Sequence, residues 1–344
     1  MKNDFGIKVV GIDLAKHIFA VHATDNYGNV LKKGKMTQAK LVKWLATLSP
    51  SLVGMEACGG ANYFARVIEQ LGHKVKLMAP NHVKPYIQGN KDDNKDAEGI
   101  AEAVTRPRMR FVIPKTPAQQ QLQSWHRIRS AKLKQRIAES NGLRALAYEF
   151  GLVIPKGLKG LRKKMEEIIR GDLDDKIGWV REDIILLWNQ FEQLQEIIFQ
   201  YEAKIKIAFN NEEFCKRLET IPGIGYLTAT AIFAAIGRNA DRFKSSRDFA
   251  AWLGLAPRHV GSGGNIQMLG ISKRGDRYIR CLLVHGGRSV VANAHKKKDS
   301  YSLWISRLKE RAGTNKTSVA VAHKNARIIW SMLKNGGVYK AIVA

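Results

Sequence analysis

The stretch that decides the fold is Lys8-Val-Val-Gly-Ile-Asp13-Leu-Ala-Lys16. A short apolar run rich in β-branched residues, closed by one carboxylate, reads as a buried strand. A lone Asp at a strand end is often only a turn or helix cap. A second run, Leu52-Val-Gly-Met-Glu56, also ends in an acid, and a third acidic group follows at Asp92, Asp93 and Asp96. Only five acids fall within the first 91 residues, and two of them close these strands. Carboxylates gathered at strand ends repel one another unless divalent cations lie between them. The pattern predicts a metal site that works on phosphates.

Outward from this stretch, strand and helix signals alternate up to about residue 110. His17 to Thr24 reads as a second strand, Asp25-Asn-Tyr-Gly-Asn29 as hairpin turn chemistry, and Val30 to Met36 as the returning third strand. Thr37 can cap a helix carrying Leu41, Trp44, Leu45 and Leu48 at helical spacing. Leu52 to Glu56 is strand four, Tyr63 to Leu71 a helix stopped by Gly72, and Val75 to Met78 strand five. Three hairpin-ordered strands, then helix, strand, helix, strand, is the order of a ribonuclease-H-like domain. That fold carries metal-binding carboxylates at the end of its first strand, near the end of its fourth and on a later helix. Asp13 and Glu56 fall where that plan needs them.

The later helix starts in Lys91-Asp-Asp-Asn-Lys-Asp96-Ala-Glu-Gly-Ile-Ala-Glu-Ala103. Asp93 and Asp96 are three apart and share a face; Asp92 and Asp96 are four apart and do so too. Spacing leaves both pairs open, and acids at a helix amino-terminus are also favoured by its dipole alone. Glu98 and Glu102 read as solvated.

The balance of 57 basic against 30 acidic residues gives a net charge of +27 over 344 residues. Such a charge repels itself in the compact state, so a polyanion is the expected partner, nucleic acid first. No apolar run approaches the ~20 residues of a spanning helix, and no amino-terminal apolar segment with a cleavage site is read. Cys58, Cys215 and Cys281 lie far apart without CxxC spacing, which argues for a reducing cytoplasm and against zinc.

Arg106-Pro-Arg-Met-Arg110 reads as a linker, and Thr116-Pro117 opens a long helix. Its apolar face is Leu122, Trp125, Ile128, Leu133 and Ile137. The interleaved Arg127, Arg129, Lys132, Lys134 and Arg136 suit either a solvated face or a helix that binds nucleic-acid backbone. Gly151 to Gly171 reads as a broken basic segment around Pro155. A second long helix, from about Asp175 to Phe209, repeats Ile184, Phe191, Ile198, Ile205 and Leu187, Leu194, Tyr201, Ala208 in heptads. This coiled-coil seam can pair within the chain or with another subunit.

Ile221-Pro-Gly-Ile-Gly225 resembles the hairpin of a helix-hairpin-helix motif, where amides at Gly223 and Gly225 can hold a phosphate; a plain helix turn with packing glycines is the alternative. Ser262 stands between glycines in Gly254-Leu-Ala-Pro-Arg-His-Val-Gly-Ser262-Gly-Gly-Asn265, open to a bulky phosphodiester or merely part of a flexible loop. Beside it, Lys273, Arg274, Arg277 and Arg280 form a natural phosphate clamp. His259 is nearby, Lys296-Lys-Lys298 is a solvated charge run, and Ser318 to Leu333 is a last amphipathic helix.

Taken in order, GIDLAK, MEACGG, KDDNKDAEGIAEA, IPGIG, GLAPRHVGSGG and GISKRGDRYIR resemble the insertion-sequence family 110 transposases, also called DEDD transposases, to which pilin-gene inversion recombinases are related. The resemblance covers nearly the whole chain. It implies an α/β plus all-α architecture: a RuvC-like (RNase H-like) DEDD domain over 1–110, a helical coiled-coil region over 111–210, and a transposase domain with the helix-hairpin-helix and catalytic serine over 211–344. It carries the four carboxylates to Asp13, Glu56, Asp93 and Asp96 and the nucleophile to Ser262. It also implies Mg2+, two ions per site, and a non-coding bridge RNA that pairs with donor and target DNA. A cytoplasmic, nucleoid-associated bacterial enzyme follows. In one departure, Asp92 stands where the family usually has Thr or a similar residue, so Asp92 and Asp93 both remain candidates to face the metal.

The implied reaction is recombination through a covalent phosphoserine on Ser262, with DNA and RNA backbones held by Arg127, Arg129, Lys132, Arg136, Gly223, Gly225, Lys273, Arg274, Arg277 and Arg280. The serine and acids lie in different domains, so the site needs domain docking, and a dimer or tetramer joined by the coiled coil is expected. Two rivals remain: a RuvC-like junction-resolving endonuclease using metal-activated water, and a non-catalytic nucleic-acid scaffold. A P-loop is absent, because no glycine pair is followed by Lys-Ser or Lys-Thr.

Overall fold

The computed structural model describes residues 6–87, 92–261 and 267–341. They fall into two compact units, Met1–Thr116 and Pro117–Ala344.

The first unit is built on one sheet. Its strands are β1 (Val9–Asp13), β2 (Ile18–Thr24), β3 (Val30–Thr37), β4 (Leu52–Glu56), β5 (Lys74–Met78) and β6 (Phe111–Val112), in the order β3-β2-β1-β4-β5-β6. β1, β2 and β3 pair antiparallel, whereas β1–β4 and β4–β5 are parallel. β6 closes the edge antiparallel to β5 and comes from the stretch just after the expected linker; two residues are too few to show a period. The helices are α1 (Gln38–Ala46), α2 (Ala61–Gln70), α3 (Pro80–Val83) and α4 (Asp93–Val104). Thr37 takes the N-cap position of α1 but makes no side-chain cap bond.

Side chains alternate across a strand, and here the alternation sorts the two faces. Val10 and Ile12 of β1 and Val53 and Met55 of β4 are buried with Leu41, Trp44, Leu45, Phe64 and Ile68 of α1 and α2. Val9 and Leu52 point the other way, into a cluster with Ile100, Ala103 and Val104 of α4. Gly11 and Gly54 share that second face. A Cβ on Gly11 would lie 2.2 Å from the Ala97 carbonyl oxygen, and one on Gly54 2.8 Å from Val104. Glycine inside a central strand weakens it unless another backbone must approach. These two let α4 lie directly on the sheet.

The second unit holds α5 (Pro117–Glu149), α6 (Leu158–Arg170), α7 (Asp174–Ile177), α8 (Arg181–Asn210), α9 (Glu213–Glu219), α10 (Tyr226–Ile236), α11 (Ser246–Trp252), the hairpin β7 (Pro257–Val260) and β8 (Gln267–Ile271), α12 (Arg277–Asn293) and α13 (Ser300–Asn335), which kinks at Gly313. α5 and α8 run antiparallel: Arg129 pairs with Glu202 and Arg136 with Gln195, and Leu122 packs with Ile205. The heptad residues Ile184, Phe191, Ile198 and Ile205 are all buried. Within the chain, Ile184 and Phe191 pack with α5 and α6, and Ile205 with Leu122 of α5 and Ala234 of α10, so these buried positions are not left open for a second subunit. Ile137, expected on the apolar face of α5, is instead 48% exposed. The segment expected to be broken around Pro155 forms α6, burying Leu161, Met165 and Ile168. That spacing of four and three is the helical period, hidden in the sequence by dense Lys and Arg.

Candidate active site

Four stretches of sequence meet at one edge of the first unit. The β1–β4 register ends at Ile12↔Met55, so Asp13 and Glu56 are the next residues along two adjacent parallel strands. By the alternation above, both belong to the face that α4 covers. α4 begins at Asp93, and carboxylate oxygens of Asp13, Asp93 and Asp96 lie within 4.8 Å of one another. Glu56 is coupled to them by like-charge repulsion: partial burial pushes its carboxyl up, and the charges of Asp13 and Asp96 push it further. The Cys58 thiol is raised by burial first and then by Glu56 and Asp13.

Asp92 and Asp93, equivalent by spacing, have different places. Asp92 is the N-cap of α4, its carboxylate accepting from the Asn94 amide at 3.2 Å. Asp93 stands in the cluster. Its carboxylate also accepts a 2.6 Å bond from the Lys35 ammonium, whose pKa is raised by that bond and by the Asp93 charge. Lys35 is a site residue that sequence reasoning missed. The signal was present: Lys33 and Lys35 alternate on β3 and so share a face, and Lys33 pairs with Glu98 at 3.6 Å. Three clustered carboxylates with a fourth held above its usual range make a hard oxygen donor set, which fits a divalent cation.

Ser262 lies outside the described residues, as do its neighbours to Ile266. The strands on either side are described: β7 and β8 form a hairpin in which Val260 and Met268 are 60% and 65% exposed. At the hairpin base, Lys273, Arg274 and Arg277 are exposed. Arg280 is not. It is buried, donating to the Leu253 carbonyl at 3.0 Å, and so ties α12 to the end of α11. The clamp assigned to it from sequence is corrected to a packing role.

The basic face of α5 divides in the same way. Arg127 and Lys134 are exposed and Lys132 is half-buried. Arg129 turns inward to Glu202 at 2.6 Å, and Arg136 to Gln195. Both serve helix pairing. Gly223 also has a packing role: its φ is +83°, and a Cβ there would sit 2.7 Å from the Gly286 carbonyl oxygen of α12. Gly225, at the N-cap of α10, is exposed.

One buried polar chain in this unit was not read from sequence. Thr230 donates its only hydroxyl hydrogen to the Tyr226 carbonyl at 2.6 Å. Its oxygen therefore accepts from His126 Nε2–H at 3.0 Å, which leaves His126 Nδ1 to accept from the Tyr278 hydroxyl at 3.0 Å. Burial, with Arg129 nearby, holds the imidazole neutral down to about 4. The phenol of Tyr278 is raised chiefly by burial. His126 is over a hundred positions from both Thr230 and Tyr278, and no local period links them.

Residues 10–150 match the DEDD-type IS110 transposase family, and residues 215–302 match the transposase IS116/IS110/IS902 family. A transposase for insertion sequence element IS1111A of Coxiella burnetii is 38% identical over 97% of this chain and 92% of its own length. A probable family 20 transposase of Pseudomonas aeruginosa is 40% identical over 96% of this chain and 98% of its own. A pilin gene-inverting protein of Moraxella bovis is 23% identical over 76% of this chain and 73% of its own. The chain belongs to the IS110/IS116/IS902 transposase family. It is accordingly a transposase, an enzyme whose substrate class is DNA, of a type that works with a divalent metal. Among the described residues no helix is long and apolar enough to cross a membrane.

Proposed function

We propose that this chain catalyses RNA-guided DNA strand exchange through a phosphoserine on Ser262. The observation that carries the reading is the convergence of Asp13, Asp93 and Asp96, with Glu56 coupled to them, from three separated stretches. These carboxylates would hold Mg2+, two ions, which when bound neutralise charge building on the phosphate. The Ser262 hydroxyl oxygen forms a bond to phosphorus and the bond from phosphorus to a deoxyribose oxygen breaks. The serine proton passes by way of a carboxylate of the cluster to the departing oxygen. One phosphoester replaces another, so rejoining needs no outside energy source.

Exposed cations at Arg127, Lys273, Arg274 and Arg277 would hold DNA and a bridge RNA by their phosphates, and the exposed Gly225 amide at the start of α10, in a helix-hairpin-helix, would add a backbone contact. The division into 1–110, 111–210 and 211–344 assigns metal chemistry, the α5–α8 coiled coil and serine delivery to separate parts. The working form is a dimer or tetramer joined through surfaces other than the Ile184–Ile205 seam, working in the bacterial cytoplasm on the nucleoid.

The test is a recombination assay with Ser262→Ala and Asp13→Asn, run beside a search for a protein–DNA adduct on denaturing gels. Both variants abolish recombination, and only the serine protein forms the adduct. A second reading rests on the acid cluster alone, which suffices for a junction endonuclease using metal-activated water. Metal-dependent nicking that proceeds undiminished in Ser262→Ala, with no adduct in the parent, selects it. Sequencing nucleic acid that copurifies with the chain tests the guide: one defined short RNA from beside its own gene is the expected result.

A further inference from the structure

Between α5, α10 and the start of α12 lies a cleft of about 300 Å³ that the strand-exchange reading leaves unused. Its floor is Ala231, Ala234 and Ala235, its side walls include Tyr278 and Ile279, and its rim carries Arg127 and Lys134. We propose that this cleft holds one unstacked nucleobase of a single strand, with the flanking phosphates on Arg127 and Lys134. The proposal rests on the nucleic-acid reading above and adds a site to it.

Small floor residues leave flat space, and an aromatic wall gives a base a surface on which to stack. Tyr278 is a fixed wall. Its hydroxyl is committed to His126, whose other nitrogen is committed to Thr230, and the two rings meet edge to face at 5.6 Å. A ring held this way loses little freedom on binding, which favours affinity. Gln123 and Ser130 also line the cleft, and their amide and hydroxyl can donate to or accept from the edge of a base. Arg127 and Lys134 are both exposed and seven residues apart on α5, about 10 Å along the axis. That spans neighbouring phosphates of an extended strand. Asp276, the N-cap of α12, also lines the cleft and stands two residues after the exposed Lys273–Arg274 run at the base of the β7–β8 hairpin. A strand whose backbone rests on that run has the cleft beside it.

The experiment measures binding of ten-nucleotide single strands to the full chain by anisotropy. Each strand is made with bases or with abasic sugars, in deoxyribose and ribose forms. The parent protein should prefer base-bearing over abasic strands about tenfold, the scale of one stacking contact. Whether the deoxy or ribo series shows the larger preference identifies DNA or RNA as the source. Ala131→Trp, at an exposed position on the cleft edge, and Ala235→Leu, on the floor, should remove that preference and leave abasic affinity unchanged. Tyr278→Phe, which keeps the ring, should retain it, and Tyr278→Ala should lose it. If both filling variants keep the full preference, the cleft is not the base site, although nucleic-acid binding stands. If the folded parent binds no single strand in any form, the nucleic-acid reading fails and this proposal with it. Ala131→Trp keeps the test open should Ala235→Leu or Tyr278→Ala not fold.

Discussion

In sequence, the acids of the first unit and the bases of the second share one pattern: runs of one sign, spaced for a common face. The structure treats them differently. Asp13 and Glu56 end adjacent parallel strands, and alternation leaves each only one face to occupy. The register therefore sets their meeting, and α4 brings Asp93 and Asp96 to it. On α5, on α12 and in the run before α12, a cation's fate depends on what packs beside it. Arg129, Arg136 and Arg280 turn inward to partners, while Arg127, Lys273, Arg274 and Arg277 stay in solvent. Strand ends make charge position a consequence of pairing. A long helix leaves it to tertiary contact.

The first unit's half of that contrast depends on a glycine. Gly11→Val should have the largest effect, because a Cβ 2.2 Å from the Ala97 carbonyl oxygen must drive α4 off the sheet. Overpacking of this kind costs about 1–3 kcal/mol or more, and the acid cluster should disperse with it. Denaturant melts should show the lower midpoint, and added Mg2+ should no longer raise it.

Next in size is the acid sensitivity of the second unit. His126 is pushed down to about 4 from an ordinary value of about 6.5. The unfolded chain thus binds the extra proton first, and stability is lost as pH falls through that window. The linkage amounts to about 3 kcal/mol. A His126→Gln variant, melted from pH 7 to pH 4, should show a flatter slope than the parent.

Arg129→Ala and Arg127→Ala then separate inward from outward cations. The first leaves Glu202 without its partner in a half-buried pair and should lower stability by about 1–3 kcal/mol. The second should leave the melt unchanged, weaken nucleic-acid binding and reduce the salt slope of log K by about one contact. Equal melts for the two would erase the distinction.

The smallest effect concerns Glu56. Its raised carboxyl means the folded state holds its proton longer than the unfolded one. Metal-free stability should therefore fall as pH rises from the ordinary carboxylate value through the raised one. Glu56→Gln should abolish that fall, and Mg2+ should stabilise the parent at pH 7 but not at pH 4. A flat profile in the parent would show that the four acids do not crowd.

The sheet was legible because period-two patterning, the Asp25–Asn29 turn and apolar runs of strand length all agreed. β6 was not, since two residues carry no period. α6 was hidden because Lys and Arg outnumber the three apolar residues that define its buried face. Asp92 and Asp93 shared a spacing argument, and the Asp92 cap bond to Asn94 together with Asp93's place in the cluster separated them.

By itself the sequence determined where β1 to β5 lie, which acids end two of them and that an excess of positive charge needs a polyanion. Those are properties of neighbours along the chain. Tertiary structure alone decided that Lys35 meets Asp93, that His126 joins Tyr278 to Thr230, that α8 buries its Ile184, Phe191 and Ile205 against α5, α6 and α10, and which arginines reach solvent. Each of these joins residues from dozens to over a hundred positions apart, and at that range side-chain placement follows from packing and not from any local period.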